Sequence, residues 1–333
     1  MRTILKMRIL LILTGGTICS EKNENGLNDL NTDDAVAKLI SKYEGIDVIA
    51  PINTLSENMT IDKWNKLIKV LRDTNLESYD GVMFLHGTDT LHLTSALMGV
   101  ILKDIGRPVM MVSAHRILSD PESNGVDNFD KSVALIEWLR AREMSGVYVI
   151  YRNMDGVSYV HHATHLEECG DYSEDFFSKD MIEYSKLIED ESLKWFKLGM
   201  ASCGEPKYIE KIISSQDSNP LALVGSLSDN VLFIKPYVGI NYDRYNLDGV
   251  KAVLHGMYHS STVNTEGDGP TSALSLLRKC NALGIDFYIF PCKEGEFRYS
   301  STKPLLDEGA KCLYGGTWEE AYVRLLIKYG EQM

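Results

Sequence analysis

A chain of 333 residues, 44% hydrophobic and 24% charged, is long enough for two ordinary domains and too balanced to be disordered or fibrous. Its formal net charge of −13 argues against nucleic acid as the main partner, because phosphate is gripped by clustered Lys and Arg. No apolar run approaches the roughly 18 residues needed to span a membrane, so a small-molecule enzyme is the expected class.

The first thirteen residues pair basic side chains with an apolar run, as a secretory leader would. Ile9–Leu13 is too short for a leader's apolar region, and no small-x-small cleavage site follows. A buried first strand of a parallel sheet is the better reading, and a cytoplasmic location is expected. Ile9–Leu13, Asp47–Ala50, Val82–Leu85, Val109–Ser113 and Val147–Tyr151 read as strands. Between them Asp33–Tyr43, Ile61–Thr74, Leu91–Lys103 and Asn128–Arg140 carry apolar residues at helical spacing. This alternation predicts an α/β fold whose N-terminal domain is a doubly wound, mostly parallel sheet. Ligands of such sheets sit outside the carboxyl ends of the strands.

From Ser185 to Asn219 the charge is mixed, no strong strand is present, and the stretch ends in the turn-like Gln216-Asp217-Ser218-Asn219-Pro220. It is the predicted linker (185–219) between an N-terminal domain, 1–184, and a smaller C-terminal α/β domain, 220–333. In the latter, Val231–Ile234, Ala252–His255 and Phe287–Phe290 read as strands, with Ser272–Ala282 and Glu319–Tyr329 as helices. Six cysteines, at 19, 169, 203, 280, 292 and 312, form no C-x-x-C pair and read as free thiols.

Two predicted strands end in Thr and Gly: Thr14-Gly15-Gly16-Thr17-Ile18, and His86-Gly87-Thr88-Asp89-Thr90, which runs into a helix at Leu91. A threonine hydroxyl beside a base can attack a carbonyl, and glycines let backbone N–H groups approach the oxyanion that develops. Either segment alone could be a turn or a helix cap, with Asp89 or Thr90 as the N-cap. Two at matching strand ends favour catalysis. Neither a Walker pattern nor a dinucleotide fingerprint is present at the first turn.

These two segments resemble the T-G-G-T-I and H-G-T-D-T signatures of the bacterial-type L-asparaginase family. Ser56-Glu57-Asn58-Met59, Ser113-Ala114-His115-Arg116 with Asn124, Gly125 and Asn128, Leu254–Ser260 and Tyr299–Thr302 extend the likeness over nearly the whole chain, more loosely after residue 150. The resemblance implies hydrolysis of L-asparagine to L-aspartate and ammonia, with neither metal nor organic cofactor. It makes Thr17 the nucleophile and Thr88 the second threonine, its amide in the oxyanion hole. Asp89 would grip the substrate ammonium with help from Glu57, and Ser56 would bind the α-carboxylate. Gly16 and Gly87 would shape the substrate site, and the Ala114 carbonyl would orient the leaving nitrogen. A homodimer or homotetramer is implied, the second domain of one subunit closing the site of the other.

Three departures stand out. The family's catalytic lysine has no counterpart in Ser158–Glu168, and alignment puts His165 in its place. A neutral imidazole is a competent base; equally, the triad could be broken. The lid Cys19–Asn31 offers no tyrosine, and Glu57 stands where many members have glutamine. His161, His162 and His165 also raise a metal site, but they lack a recognised zinc spacing. Two rival readings follow: an asparaginase-like scaffold that binds an amino acid as a sensor or regulator, and an amidase subunit that supplies ammonia to a tRNA-charging partner.

Overall fold

The computed structural model describes residues 7–26, 28–189, 195, 220–292 and 299–331. They form two compact units, one from the residues up to 195 with Pro220–Leu223, the other from 224 onward. The first is built on β1 (Ile9–Leu13), β4 (Ile46–Ile49), β5 (Gly81–Leu85), β6 (Pro108–Val112), β7 (Gly146–Arg152), β8 (Ser158–His162) and β9 (Ile182–Glu183), with a small antiparallel hairpin, β2 (Ser20–Lys22) and β3 (Asn28–Leu30). The seven-stranded sheet has the order β4-β1-β5-β6-β7-β8-β9. Its first five strands are parallel, whereas β8 runs antiparallel to β7 and β9 to β8.

Every residue of β1, β5 and β6 is buried, which explains why they read as unbroken apolar runs: helices cover both faces. Helix α1 spans Thr32–Ile40, α2 Ile61–Asp73, α3 Leu91–Ile101 and α4 Gly125–Arg140. In α2 the inward stripe Trp64, Leu67, Ile68 and Leu71 has i, i+3, i+4, i+7 spacing, and Thr60 caps the Lys63 amide. The α3 helix is buried almost all round, and the Trp64 indole N–H ties it to α2 through Thr94 Oγ1 at 3.0 Å.

The second unit carries β10 (Val231–Ile234), β11 (Ala252–Gly256), β12 (Asp286–Cys292) and β13 (Lys311–Tyr314) in one all-parallel sheet of that order. The chain is therefore the expected pair of α/β domains, a large mostly parallel sheet and a smaller one. The predicted linker begins inside a short helix, Tyr184–Glu189; between 190 and 219 only Trp195 lies within the described residues, and Cys203 lies outside them. The other five cysteines are free. Among the described residues no helix is long and apolar enough to cross a membrane.

Five buried histidines make the fold acid-sensitive. Burial pushes His86, His92, His162 and His255 down to about 4 and His161 to about 3. All are neutral in the folded chain, while an unfolded histidine takes up its proton near pH 6.5. Below that pH the unfolded state binds more protons, so stability is intact above about pH 6.5 and falls as the pH drops toward 4. Each such histidine costs on the order of 3 kcal/mol, against a total of about 5–15 kcal/mol for a domain. The urea midpoint should fall steadily over this range and cooperative folding should be lost before pH 4. A flat midpoint from pH 7 to 4.5 would refute this.

Candidate active site

The carboxyl ends of β1 and β5 are adjacent, and the two motif loops leave from them. Thr14 donates both its N–H (3.0 Å) and its hydroxyl (2.7 Å) to the Leu85 carbonyl. The Gly16 amide donates to Thr54 O, and the Thr54 amide to Thr14 O, each at 3.0 Å. The first loop is thus clamped between the segment carrying Ser56 and the loop of His86–Thr90. Gly16, at φ +82°, lies so close to Gly87 that a Cβ on it would sit 2.2 Å from the Gly87 Cα. Given the fixed step between successive Cα atoms, those of Thr17 and Thr88 are no more than about 11 Å apart.

Thr17 opens a single helical turn, Thr17–Cys19, with Cys19 N–H donating to Gly16 O at 2.9 Å. Its side chain stays partly exposed, as does that of Thr88. Among the described residues neither threonine hydroxyl makes a hydrogen bond, and the amides of Gly87 and Thr88 find no acceptor. Two free hydroxyls and two unspent N–H donors at one glycine contact are the ingredients of carbonyl addition.

Ser56, almost fully buried, braces the second loop. Its hydroxyl donates to Asp89 Oδ2 at 2.6 Å and accepts the Asp89 amide at 3.2 Å, while its carbonyl accepts the Thr90 hydroxyl at 2.9 Å. Thr90 occupies the N-cap position of α3 without capping it, because its hydroxyl serves this brace instead. His86 is fully buried and neutral, with Nδ1 2.7 Å from Gly87 O. A carbonyl only accepts, so Nδ1 carries the proton. Glu57 is exposed. Ala114 is buried just past β6. There Asn128 joins Ser113 O to the Arg152 amide, and Asn124 joins the His115 amide to Arg152 O, which accounts for both asparagines in the motif that follows Ala114.

A cavity of about 340 Å³ opens beside Thr88 and Asp89, lined also by His115, Tyr151, Glu168 and Glu174. Of these four, His115 stands in the Ser113–Arg116 segment and Glu168 ends the stretch Ser158–Glu168, whereas Tyr151 closes an apolar strand and Glu174 stands in a loop without a motif. Among the described residues no lysine or arginine lines the cavity.

The structure does not bring His165 to Thr88, which corrects the expectation that it replaces the family's lysine. The β8 strand pairs Ser158 with Arg152 at the carboxyl edge and His162 with Tyr148 below it, so the chain is descending when it reaches His165. The turn Ala163–His165 packs near Gly99, where a Cβ would meet the Thr164 methyl at 2.6 Å, roughly 12 Å down α3 from its start. There His165 Nδ1 pairs with Asp180 Oδ2 at 2.8 Å. Burial raises the Asp180 carboxyl, but the His165 hydrogen bond and the neighbouring imidazoles of His165 and His162 outweigh it and hold the group below its usual range. We expect His165→Ala to leave catalysis within about twofold and to cost about 1–3 kcal/mol of stability by stranding Asp180. Thermal melts and turnover of the same variant check both halves. His162 stacks on Trp195 with ring centroids 4.0 Å apart, and His161 Nδ1 meets the Ser178 hydroxyl at 2.9 Å. Among the described residues no group of three or more His, Cys, Asp or Glu could hold a metal ion.

The chain is similar to several known proteins. A family model described as "Asparaginase, N-terminal" matches residues 8–198. Among curated proteins, a glutamyl-tRNA(Gln) amidotransferase subunit of Methanosphaera stadtmanae is 26% identical over 270 residues, 77% of this chain and 58% of that protein. The subunit of the same name from Pyrococcus horikoshii is 28% identical over 336 residues, 97% of this chain and 72% of that one. The chain thus spans little more than half the length of some of these relatives. Among solved structures, the thermostable L-asparaginase from Thermococcus kodakarensis shares the fold, with a TM-score of 0.70 at 20% identity, covering 98% of this chain and 93% of its own. The match to more than half its length places this chain in the asparaginase family.

Proposed function

We propose that the protein is an amidohydrolase that releases ammonia from the side-chain amide of L-asparagine, with Thr17 as nucleophile. The carrying observation is the glycine-to-glycine contact that holds Thr17 and Thr88 together with free hydroxyls and unspent amides. The Thr17 oxygen adds to the amide carbon, and the oxyanion accepts from the N–H groups of Gly87 and Thr88. The proton leaving Thr17 passes through the Thr88 hydroxyl to the amide nitrogen, which departs as ammonia. Water then adds to the resulting ester, regenerating the Thr17 hydroxyl and giving L-aspartate. Asp89, oriented by Ser56, holds the substrate ammonium, Ser56 borders the carboxylate, and the Ala114 carbonyl faces the leaving nitrogen. His165 has no part in this scheme, and no metal or organic cofactor enters it. Pairing of subunits into a homodimer or homotetramer belongs to the same proposal and is read by light scattering.

The names of the curated relatives favour a second reading, in which the same chemistry supplies ammonia for amidation of a charged tRNA by a larger assembly. Coupled detection of ammonia from L-asparagine and L-glutamine, with and without glutamyl-tRNA(Gln) and an amidating partner, separates the two. Asparagine turnover by the chain alone supports the first; glutamine turnover dependent on charged tRNA supports the second. Stoichiometric binding of aspartate with no ammonia from either amide would leave an amino-acid sensor and end the hydrolase reading.

A further inference from the structure

The cavity beside Thr88 is lopsided in charge. Asp89, Glu168 and Glu174 line it, and no Lys or Arg does among the described residues. Asp89 is tied to Ser56. Glu174 lies 3.7 Å from the His115 ring and its charge also acts on Arg116, while Glu168 has no hydrogen bond or ion pair among the described residues. A pocket of this composition asks its ligand to supply the positive charge.

A buried polar atom marks the pocket as built to receive a polar ligand. Tyr151 is wholly buried, its hydroxyl set against the Asn124 side chain. The His115 side chain is 5% exposed and its Nδ1 has no partner among the described residues. Buried polar atoms seldom go unsatisfied, and both residues line the cavity. Its wall is pinned as well. Asn153 exchanges two hydrogen bonds with Phe176, at 2.9 and 3.1 Å, and the Cys169 thiol donates to the carbonyls of Ser173 and Asp175.

We propose that this cavity selects primary amides whose far end is a cation, an ammonium or guanidinium without a neighbouring carboxylate, held by Glu168 and Glu174 above the Tyr151 hydroxyl. The inference rests on the amidohydrolase reading and adds the class of substrate. L-Asparagine, which carries no net charge, fills only the part of the site at Ser56 and Asp89.

A matched series tests it: an ω-aminoalkanamide, the alkanamide and the ω-carboxyalkanamide of equal chain length, each assayed for ammonia release and for binding to the full chain by calorimetry. The ω-amino compound should exceed the neutral one by about tenfold in kcat/KM and in affinity, and the ω-carboxy compound should fall below it, the gap narrowing as salt is added. Glu168→Gln and Glu174→Gln, both at accessible positions, should each shrink the cation preference about threefold. Asparagine turnover combined with no charge preference, or a preference that neither substitution changes, overturns this inference alone. Charge-selective binding with no ammonia from any amide upholds it and removes the hydrolase reading; neither binding nor turnover removes both.

Discussion

Thr17→Ala should lower ammonia release by at least about 10³-fold with no change in melting temperature. In the proposed mechanism the rate loss follows from removing the only protein atom that forms a bond to the substrate. What persists is binding and the oxyanion donors, so activity does not fall to that of water. Stability is untouched because the Thr17 hydroxyl is partly exposed and makes no hydrogen bond among the described residues. Thr88→Ala removes the proton relay but keeps the backbone amide, so its loss should be smaller, about 10²-fold. The two substitutions act on one unit, and the double variant should be little worse than Thr17→Ala alone. A Thr17→Ala protein that retains a tenth of the native rate would move the nucleophile elsewhere.

Gly16→Ala should damage both fold and turnover. Its φ of +82° already disfavours a side chain, and the new Cβ would meet the Cα and N of Gly87 at 2.2 and 2.3 Å. Both obstacles are backbone and cannot swing aside, so the loops must part by about 1 Å. We expect a stability loss of about 2–4 kcal/mol and at least a hundredfold loss of rate from misalignment of Thr17 and Thr88. Gly106→Ala is the control: φ is +68° there, but a Cβ would meet nothing within 4 Å, so only the backbone cost of about 1–2 kcal/mol applies. Equal effects of the two substitutions on melting and turnover would mean that the Gly16–Gly87 contact does not set the site.

The parallel strands were plain in the chain because burial on both faces leaves a continuous apolar run, as Leu10 to Leu13 and Val82 to Leu85 show. The amphipathic α2 was equally plain from its inward stripe. Shorter elements were not: Lys311–Tyr314 is half polar, and the hairpin of β2 and β3 has three residues a side, too few to set up a period. His165 was misplaced for a different reason. Alignment by spacing fixes how far along a strand a residue lies, whereas the antiparallel return of β8 fixes toward which edge it travels.

The amino-acid order thus settled the sheet, its covering helices and the two loops that could carry chemistry, since these follow from local periodicity and from where polar residues interrupt it. Tertiary structure alone decided which groups share a cavity. Gly16 and Gly87 are 71 positions apart and meet because β1 and β5 pair in register, and Glu168 reaches Thr88 only because the chain turns back upward after His165. Contacts of that kind depend on strand direction and register, which no stretch of residues specifies by itself.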